Sequence, residues 1–174
     1  MDVGHVGAAL GAKRLVPTAS LGALLVASYL PDWADAALCA TGSYHDTQIY
    51  SHSVPAIAVL AVAAGGIQLT RGRGRKTALV VAALVVSHIL LDYLTGTKPT
   101  WPGGPMIGLA LYSKPVIDFL IEAAVIVFGW LLYRSTLPRT LPRWNDSHVM
   151  LGLLILMQLT VDVARLLLPA INKC

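Results

Sequence analysis

Residues 77–94 read TALVVAALVVSHILLDYL, an apolar run that contains two ionisable side chains, His88 and Asp92. A helix needs roughly 20 mostly apolar residues to cross a bilayer, so the run is long enough to be a membrane helix. Residues four apart lie on the same helix face, which places His88 and Asp92 one turn apart. Ionisable groups in a membrane helix are costly and normally carry function. The run therefore predicts a membrane helix with a functional face.

The composition of the whole chain agrees with a membrane protein. Of its 174 residues, 56% are hydrophobic and only 13% are charged, and the mean hydropathy is +0.67. A soluble domain has about 45–50% apolar and about 25% charged residues. We therefore expect one domain over residues 1–174, an all-α polytopic bundle of about four to five membrane-embedded helical segments plus a short N-terminal half-helix.

Apolar runs along the chain predict the individual segments. Val3–Leu10 is too short to cross a membrane and predicts the half-helix, and Ser20–Leu30 predicts a short helix that ends at Pro31. Residues 32–52 are expected to be a loop with some helix, and residues 96–113 a loop. The remaining predicted spans are Val54–Leu69, Thr77–Leu94, Pro115–Tyr133 and Val149–Ala170.

Basic residues predict the orientation of these spans. The formal charge of +4 is concentrated in short clusters between apolar runs, such as RGRGRK at residues 71–76, so it indicates topology and not nucleic-acid binding. The RGRGRK loop and the arginines near residue 140 should be cytoplasmic, and the two predicted loops should face outward. The start of the chain lacks a basic region before its apolar part, so we expect Met1 to be retained. These features predict a multi-pass inner (plasma) membrane protein.

This topology gathers acids and histidines near the outer side of the membrane. Neighbouring carboxylates repel one another and resist desolvation, and a divalent cation removes both problems while keeping histidines neutral and ligating. A mixed histidine and aspartate set favours zinc, with manganese or another first-row metal as the alternative. The residues gathered there are Asp32, Asp35, His45, Asp46, His52, His88, Asp92, Asp118 and Glu122.

The order of the motifs carries a family resemblance. His5 is followed by LPD at 30–32, SHS at 51–53 and SHILLD at 87–92. This order resembles the membrane-bound metal-dependent hydrolases, small inner-membrane proteins whose motif order is similar to that of zinc-dependent phospholipase C. The resemblance extends over residues 1–125, and the last span adds nothing to it.

The resemblance implies a set of ligands for one or two ions. One metal would be bound by Asp32, His52, His88 and Asp92, and a second would lie near His5, with Asp92 as a bridge and the amino group of Met1 as a candidate ligand. The soluble phospholipases hold a third metal with a helical His-x-x-x-Glu. Here the comparable residues are Asp118 and Glu122, so a third site is not expected.

These residues predict a hydrolase at the outer face of the membrane. A metal-activated water would attack a phosphoester, or less favourably an amide or carboxylic ester, of a lipid substrate that enters from the bilayer. One of Asp35, Asp118 and Glu122 would act as the general base. Lys98 and Lys114 in the outer loops could attract an anionic head group.

Structural explanations stand beside each functional one. His88 and Asp92 could form a hydrogen bond between helices, and Asp118 and Glu122 could orient the histidines. Asp162 and Arg165, three apart on the last span, are expected to pair with each other. His52 could be an interfacial residue, Asp32 a helix cap and Asp35 a solvated residue. His5 could be a buried neutral histidine, and His45 and Asp46 could be ordinary loop residues. Whether Cys39 pairs with Cys174 is left open.

Two other functions remain possible on the sequence alone. An ion or metal transporter would need ionisable residues through both halves of the membrane, and the cytoplasmic halves of these spans are nearly free of them. A non-catalytic protein stabilised by its metal would keep the same ligands. The substrate, the number of ions and the oligomeric state are not determined by the sequence.

Overall fold

The computed structural model describes residues 1–41, 48–138 and 146–168. His45, Asp46, Cys174 and the basic residues Arg139 and Arg143 lie outside the described residues. The described chain forms an all-α membrane helix bundle, which confirms the predicted fold class. Its helices are α1 (Gly4–Leu15), α2 (Leu21–Ser28), α3 (Leu30–Ala40), α4 (Gln48–Ser51), α5 (Val54–Thr70), α6 (Arg75–Thr95), α7 (Pro115–Arg134) and α8 (Asp146–Leu167).

Three of these helices are long and apolar enough to cross a membrane. They are α6, α7 and, from Ser147, α8, and α5 is a shorter apolar helix. The predicted spans therefore match helices α5 to α8, with ends that differ by a few residues. Leu79, Val86 and Leu90 on α6 are exposed in the protein alone, as expected for side chains that face lipid.

The predicted N-terminal half-helix is present as α1, which lies inside the bundle against α7. A side chain on Gly129 of α7 would overlap the carbonyl oxygen of Gly7, so the two backbones are in direct contact. Small residues permit this close approach between membrane helices. Because α1 is packed in this way, His5 on its first turn is almost fully buried.

Pro31 has a different role from the predicted one. It lies in the first turn of α3, where a missing backbone N–H leaves no intrahelical hydrogen bond unmade. The preceding helix, α2, has already ended at Ser28. The predicted Ser20–Leu30 helix is therefore present but ends two residues earlier, and Pro31 lies in the first turn of the helix that was expected within residues 32–52. The start of α3 at Leu30 also places Asp32 in the first turn of this helix.

The segment between α6 and α7 forms a small hairpin. Strand β1 (Lys98–Pro99) pairs antiparallel with β2 (Met106–Ile107), and a 3-10 turn, Leu111–Ser113, leads into α7. The Val54 N–H donates to the Thr100 carbonyl at 2.9 Å, which fixes the hairpin to the start of α5. The two short strands were not predicted, because nothing in a Gly- and Pro-rich stretch distinguishes them from loop.

The two ends of the bundle differ in charge. At one end, which we call the basic end, Arg14 of α1 donates to Ser135 after α7 at 2.8 Å, and Arg134 contacts His148 on α8. Helix α6 also begins at this end, with Arg75 and Lys76. The opposite end, which we call the site end, contains the start of α1, the end of α6 and the start of α7. Among the described residues, His5, His52 and His88 and most of the acids lie there, whereas His148 lies at the basic end.

Candidate functional site

The opening pair of the sequence, His88 and Asp92, lies near the end of α6 with both side chains buried. Nδ1 of His88 lies 2.7 Å from the carbonyl oxygen of Ser28 at the end of α2. Because a carbonyl can only accept, this nitrogen carries the proton. In a neutral ring Nε2 is then an acceptor, and it points toward α3 and α5.

His52 enters the same space from the turn before α5. Its Nδ1 lies 2.8 Å from Oγ of Ser51, and that hydroxyl donates to Oδ1 of Asp35 at 3.2 Å. The single hydroxyl proton of Ser51 is used by Asp35, so Nδ1 of His52 is the donor to Oγ. Nε2 of His52 is consequently also an acceptor. Asp35 thus orients His52 through Ser51.

These two Nε2 atoms face each other together with two carboxylate oxygens. They lie 3.2 Å apart. Oδ1 of Asp32 lies 3.1 Å from Nε2 of His52 and 3.5 Å from that of His88. Oδ2 of Asp92 lies 3.5 Å from each of the two nitrogens. We call Asp32, His52, His88 and Asp92 the histidine–aspartate cluster.

At the half-exposed end of this cluster, the protonation states of Asp32 and His52 are the ones that bind a metal ion. Burial alone would raise the pKa of Asp32, but its interactions with the rings of His52 and His88 outweigh burial and hold that pKa below its usual range. Burial lowers the pKa of His52, and the interaction with Asp32 offsets only part of the effect. At neutral pH Asp32 is therefore ionised and His52 neutral, which are the ligating forms.

The second oxygen of Asp92 faces a different group. Oδ1 lies 3.2 Å from Nε2 of His5 and 2.6 Å from the amino nitrogen of Met1, which also contacts the hydroxyl of Tyr112. The ring of His5 stacks on that of His88 with centroids 3.9 Å apart. Within the described part of the chain, Nδ1 of His5 is buried without a hydrogen-bond partner. Asp92 therefore joins His5 to the histidine–aspartate cluster.

Lys98 is a further charged group at this site. Its Nζ lies 3.5 Å from Oδ2 of Asp92, and the side chain is only 10% exposed. The sequence placed Lys98 in an outer loop and gave no sign that it enters the site. The hairpin accounts for the difference, because β1 passes directly beside the end of α6.

The carboxylate of Glu122, on α7, lies against the start of α1 and not among the imidazole rings. Its carboxylate accepts the backbone N–H groups of Asp2, at 2.9 and 3.0 Å, and of Gly4, at 3.0 Å. Negative charge is favoured at a helix N-terminus, where N–H groups lack partners within the helix. Glu122 consequently fixes the start of the helix that carries His5.

Asp118 belongs to a second group of charges between α1, α7 and α8. Arg165 donates to Oδ1 of Asp2 at 2.7 Å, and its Nη1 lies 3.7 Å from Oδ2 of Asp118. Gln158 donates to both oxygens of Asp162 at 3.1 Å. We call Asp2, Asp118, Gln158, Asp162 and Arg165 the acid–arginine cluster. Arg165 thus forms ion pairs with Asp118 on α7 and with Asp2 just before α1, in place of the expected pair with Asp162.

The chain matches the model of the YdjM inner membrane protein family over residues 3–166. The chain belongs to this family. The match supports the predicted inner-membrane protein and leaves its activity open. Searches of curated proteins and of solved structures find no match. The predicted relation to metal-dependent hydrolases and phospholipase C stays a prediction.

The structure of this YdjM family member brings together most of the predicted ligands. Their ligand atoms form two groups that share His88, one with Asp32 and His52 and the other with His5 and Asp92. Of the acids predicted as general base, Asp35 reaches His52 through Ser51, whereas Asp118 and Glu122 contact α8 and α1. Sequence reasoning named Lys98 only as an outer-loop residue that could attract an anionic head group, and it missed Ser51 and Tyr112. For Ser51 a signal existed, since it precedes His52 in the motif SHS.

Proposed function

We propose that this protein is an integral-membrane metal-dependent hydrolase that cleaves a phosphoester of a lipid at the outer side of the membrane. The observation that carries the proposal is the contact of the two Nε2 atoms of His52 and His88, 3.2 Å apart, with carboxylate oxygens of Asp32 and Asp92 beside them. Four lone-pair donors face one another there, and a metal ion would satisfy all four, whereas the Lys98 ammonium lies beside Oδ2 of Asp92.

The dimensions of the histidine–aspartate cluster fit a divalent ion. In a tetrahedral zinc site with bonds of about 2.0–2.1 Å, neighbouring ligand atoms are separated by about 3.3 Å. The five separations that involve a ring nitrogen of this cluster, one nitrogen–nitrogen and four nitrogen–oxygen, fall between 3.1 and 3.5 Å. Two imidazole nitrogens and two carboxylate oxygens are also a donor set that zinc accepts, with manganese as an alternative.

A second ion is supported by the contacts of Asp92 on its other side. Oδ2 faces His52 and His88, and Oδ1 faces His5 and the amino nitrogen of Met1. A carboxylate whose two oxygens face separate sets of ligand atoms can bridge two ions. A third ion near Asp118 and Glu122 is not proposed, because Arg165 and the backbone of α1 already contact these carboxylates.

The chain holds the ligand atoms in place through the groups around them. The Ser28 carbonyl and the Ser51–Asp35 pair fix the rings of His88 and His52 so that Nε2 points inward. Such outer partners tune metal affinity and ligand orientation. A bound divalent ion would supply a Lewis acid and an activated water nucleophile. The general-base role of Asp35, Asp118 or Glu122 stays a prediction for mutagenesis.

The position of the site supports lipid as the source of the substrate. The histidine–aspartate cluster lies at the site end, opposite the basic residues that indicate the cytoplasmic side. Beside it, Trp101, Met106 and Leu109 of the hairpin are exposed. Aromatic and apolar side chains at this level are typical of the membrane–water interface. A lipid head group could therefore reach the site from the outer leaflet.

The proposal is tested by metal analysis together with phospholipid turnover. Protein purified from metal-replete cells should contain at least one zinc or manganese ion per chain and release a phosphorylated product from lipid micelles. His88→Ala should lose both properties. Ser87→Ala is the matched control, since the Ser87 hydroxyl bonds to its own helix at Leu84. Metal flux in proteoliposomes without hydrolysis of any phospholipid would overturn the proposal in favour of transport.

A further inference from the structure

Lys98 is positioned to do more than neutralise Asp92. Its ammonium lies 3.5 Å from Oδ2 of Asp92, the same oxygen that faces Nε2 of His52 and of His88. A lysine is seldom so deeply buried unless it is paired or functional. Any group brought against the ligand atoms of the histidine–aspartate cluster is therefore within reach of this ammonium.

The backbone around Lys98 is fixed on both sides. Lys98 pairs with Ile107 in the hairpin, and the Leu109 N–H donates to the Tyr93 carbonyl near the end of α6 at 2.9 Å. Gly108 adopts a positive φ of 135°, and a side chain there would overlap the carbonyl oxygen of Gly96. The hairpin therefore packs directly on α6, and Lys98 is held in position before a ligand arrives.

We propose that Lys98 binds the phosphoryl oxygens of the substrate, so that the substrate is an anionic phosphate ester and not a neutral amide or carboxylic ester. This inference rests on the proposed function. A lysine and a divalent cation close to one another repel, and an anion between them removes the repulsion. Lysine is a common phosphate ligand because it acts as a compact charge with three donors.

The other face of the hairpin indicates where the phosphate comes from. Trp101 is 54% exposed and Leu109 is 60% exposed, whereas Lys98 on the same hairpin points inward. The hairpin thus has an apolar surface for the lipid interface and a cation for the site. A phosphate at the head-group level of the outer leaflet fits both features, and a phosphate from solution fits only the second.

Lys114 provides a matched control on the same side of the membrane. It is an exposed lysine immediately before α7, and with Lys98 it was expected to attract anions. If the attraction were only a general effect of positive charge, both lysines would contribute. If phosphate binds at a defined site beside the cluster, Lys98 contributes to its affinity and Lys114 does not.

The experiment measures phosphate binding and metal content on the same preparations. Zinc-loaded, detergent-purified full-length protein is titrated with inorganic phosphate by calorimetry, and zinc is counted by mass spectrometry. Lys98→Met should keep its zinc and bind phosphate at least about tenfold more weakly, since a hydrogen bond to a charged group contributes about 1.5–3 kcal/mol. Lys98→Arg should recover part of the affinity, and Lys114→Met should stay within about twofold of wild type.

Three results would overturn the assignment or separate it from the proposed function. If Lys98→Met binds phosphate with the same affinity as wild type, Lys98 is not a phosphate ligand. If the same variant loses its zinc, Lys98 acts only by positioning Asp92, and this result also overturns the assignment of Lys98 as a phosphate ligand. A wild-type protein without zinc whose phosphate binding still depends on Lys98 would refute the hydrolase and keep the anion site.

The source of the phosphate is decided by comparing two substrates. Wild-type protein should turn over phosphatidic acid in mixed micelles faster than glycerol 3-phosphate in solution, because the apolar face of the hairpin contacts lipid. Preference for the soluble ester would overturn the lipid source.

Discussion

The histidine–aspartate cluster and the acid–arginine cluster lie at the same end of the bundle but satisfy their charges differently. In the second, the guanidinium of Arg165 contacts Asp2 and Asp118, so opposite charges meet. In the first, acceptor atoms of His52 and His88 face each other. Buried charges persist when they are paired or bind metals. The comparison therefore separates a cluster whose acids contact an arginine from one whose ring nitrogens and carboxylate oxygens face one another, which is the arrangement we propose for a metal site.

The two clusters are connected through α1. Asp2 belongs to the acid–arginine cluster, and His5, one turn later, contacts Asp92. Glu122 fixes the helix start between them. A variant of one cluster can therefore be distinguished from a variant of the other only if stability and metal content are measured separately.

The largest effect is expected from His88→Ala. It removes one of the two facing imidazoles. Loss of a group that only orients a ligand weakens metal binding by up to about 100-fold, so loss of a ligand should lower zinc affinity by more than that. Competition with a chromophoric zinc chelator measures this change. Zinc affinity within a few-fold of wild type would mean that the cluster is a hydrogen-bonded contact between helices.

Arg165→Met should affect stability and leave the metal in place. It leaves Asp118, which is fully buried, and Asp2 without their cation, so the free energy of unfolding should fall by about 3 kcal/mol. Denaturant unfolding in detergent measures the loss, and zinc per folded chain should not change. If Arg165→Met folds normally but loses its zinc, the two clusters are not separate in function.

Gly129→Ala should move α1 and thereby test how firmly His5 is held. The added methyl group would overlap the backbone of Gly7, and overpacking of this kind costs about 1–3 kcal/mol. Gly152→Ala on α8 is the control, because nothing lies within 4 Å of the added group. Thermal unfolding of the pair checks the prediction, and equal midpoints would refute the close contact of α1 and α7.

Ser51→Ala should give the smallest of these effects. The hydroxyl connects His52 to Asp35, and loss of an outer partner typically weakens metal binding about 10- to 100-fold. We expect the low end, since the half-exposed site admits water. Asp35→Asn should weaken zinc by a similar factor, and a much larger loss of turnover at unchanged zinc would identify Asp35 as the general base.

Much of the fold and half of the site follow from the sequence for physical reasons. The i,i+4 spacing of His88 and Asp92 sets them on one helix face, and the basic clusters indicate which end of each span they occupy. The motif order added Asp32 and His52. These features depend on local spacing or on span direction, which a sequence carries directly.

The remaining features depend on contacts between distant segments. Glu122 bonds to backbone N–H groups 118 and 120 residues away, and a backbone donor has no signature in the sequence. Lys98 reaches the site only because a hairpin folds back onto α6. The role of Pro31 was misjudged because a proline is compatible both with the end of one helix and with the first turn of the next. Such features require the tertiary structure.

The most direct test of the central claim is zinc X-ray absorption spectroscopy on metal-replete full-length protein beside the His52→Ala/His88→Ala double variant. We expect at least one zinc per wild-type chain, with nitrogen and oxygen neighbours at about 2.0–2.1 Å and an imidazole signal that the double variant lacks. Wild-type protein that contains no metal, or a double variant with the same spectrum, would contradict a metal site at the histidine–aspartate cluster.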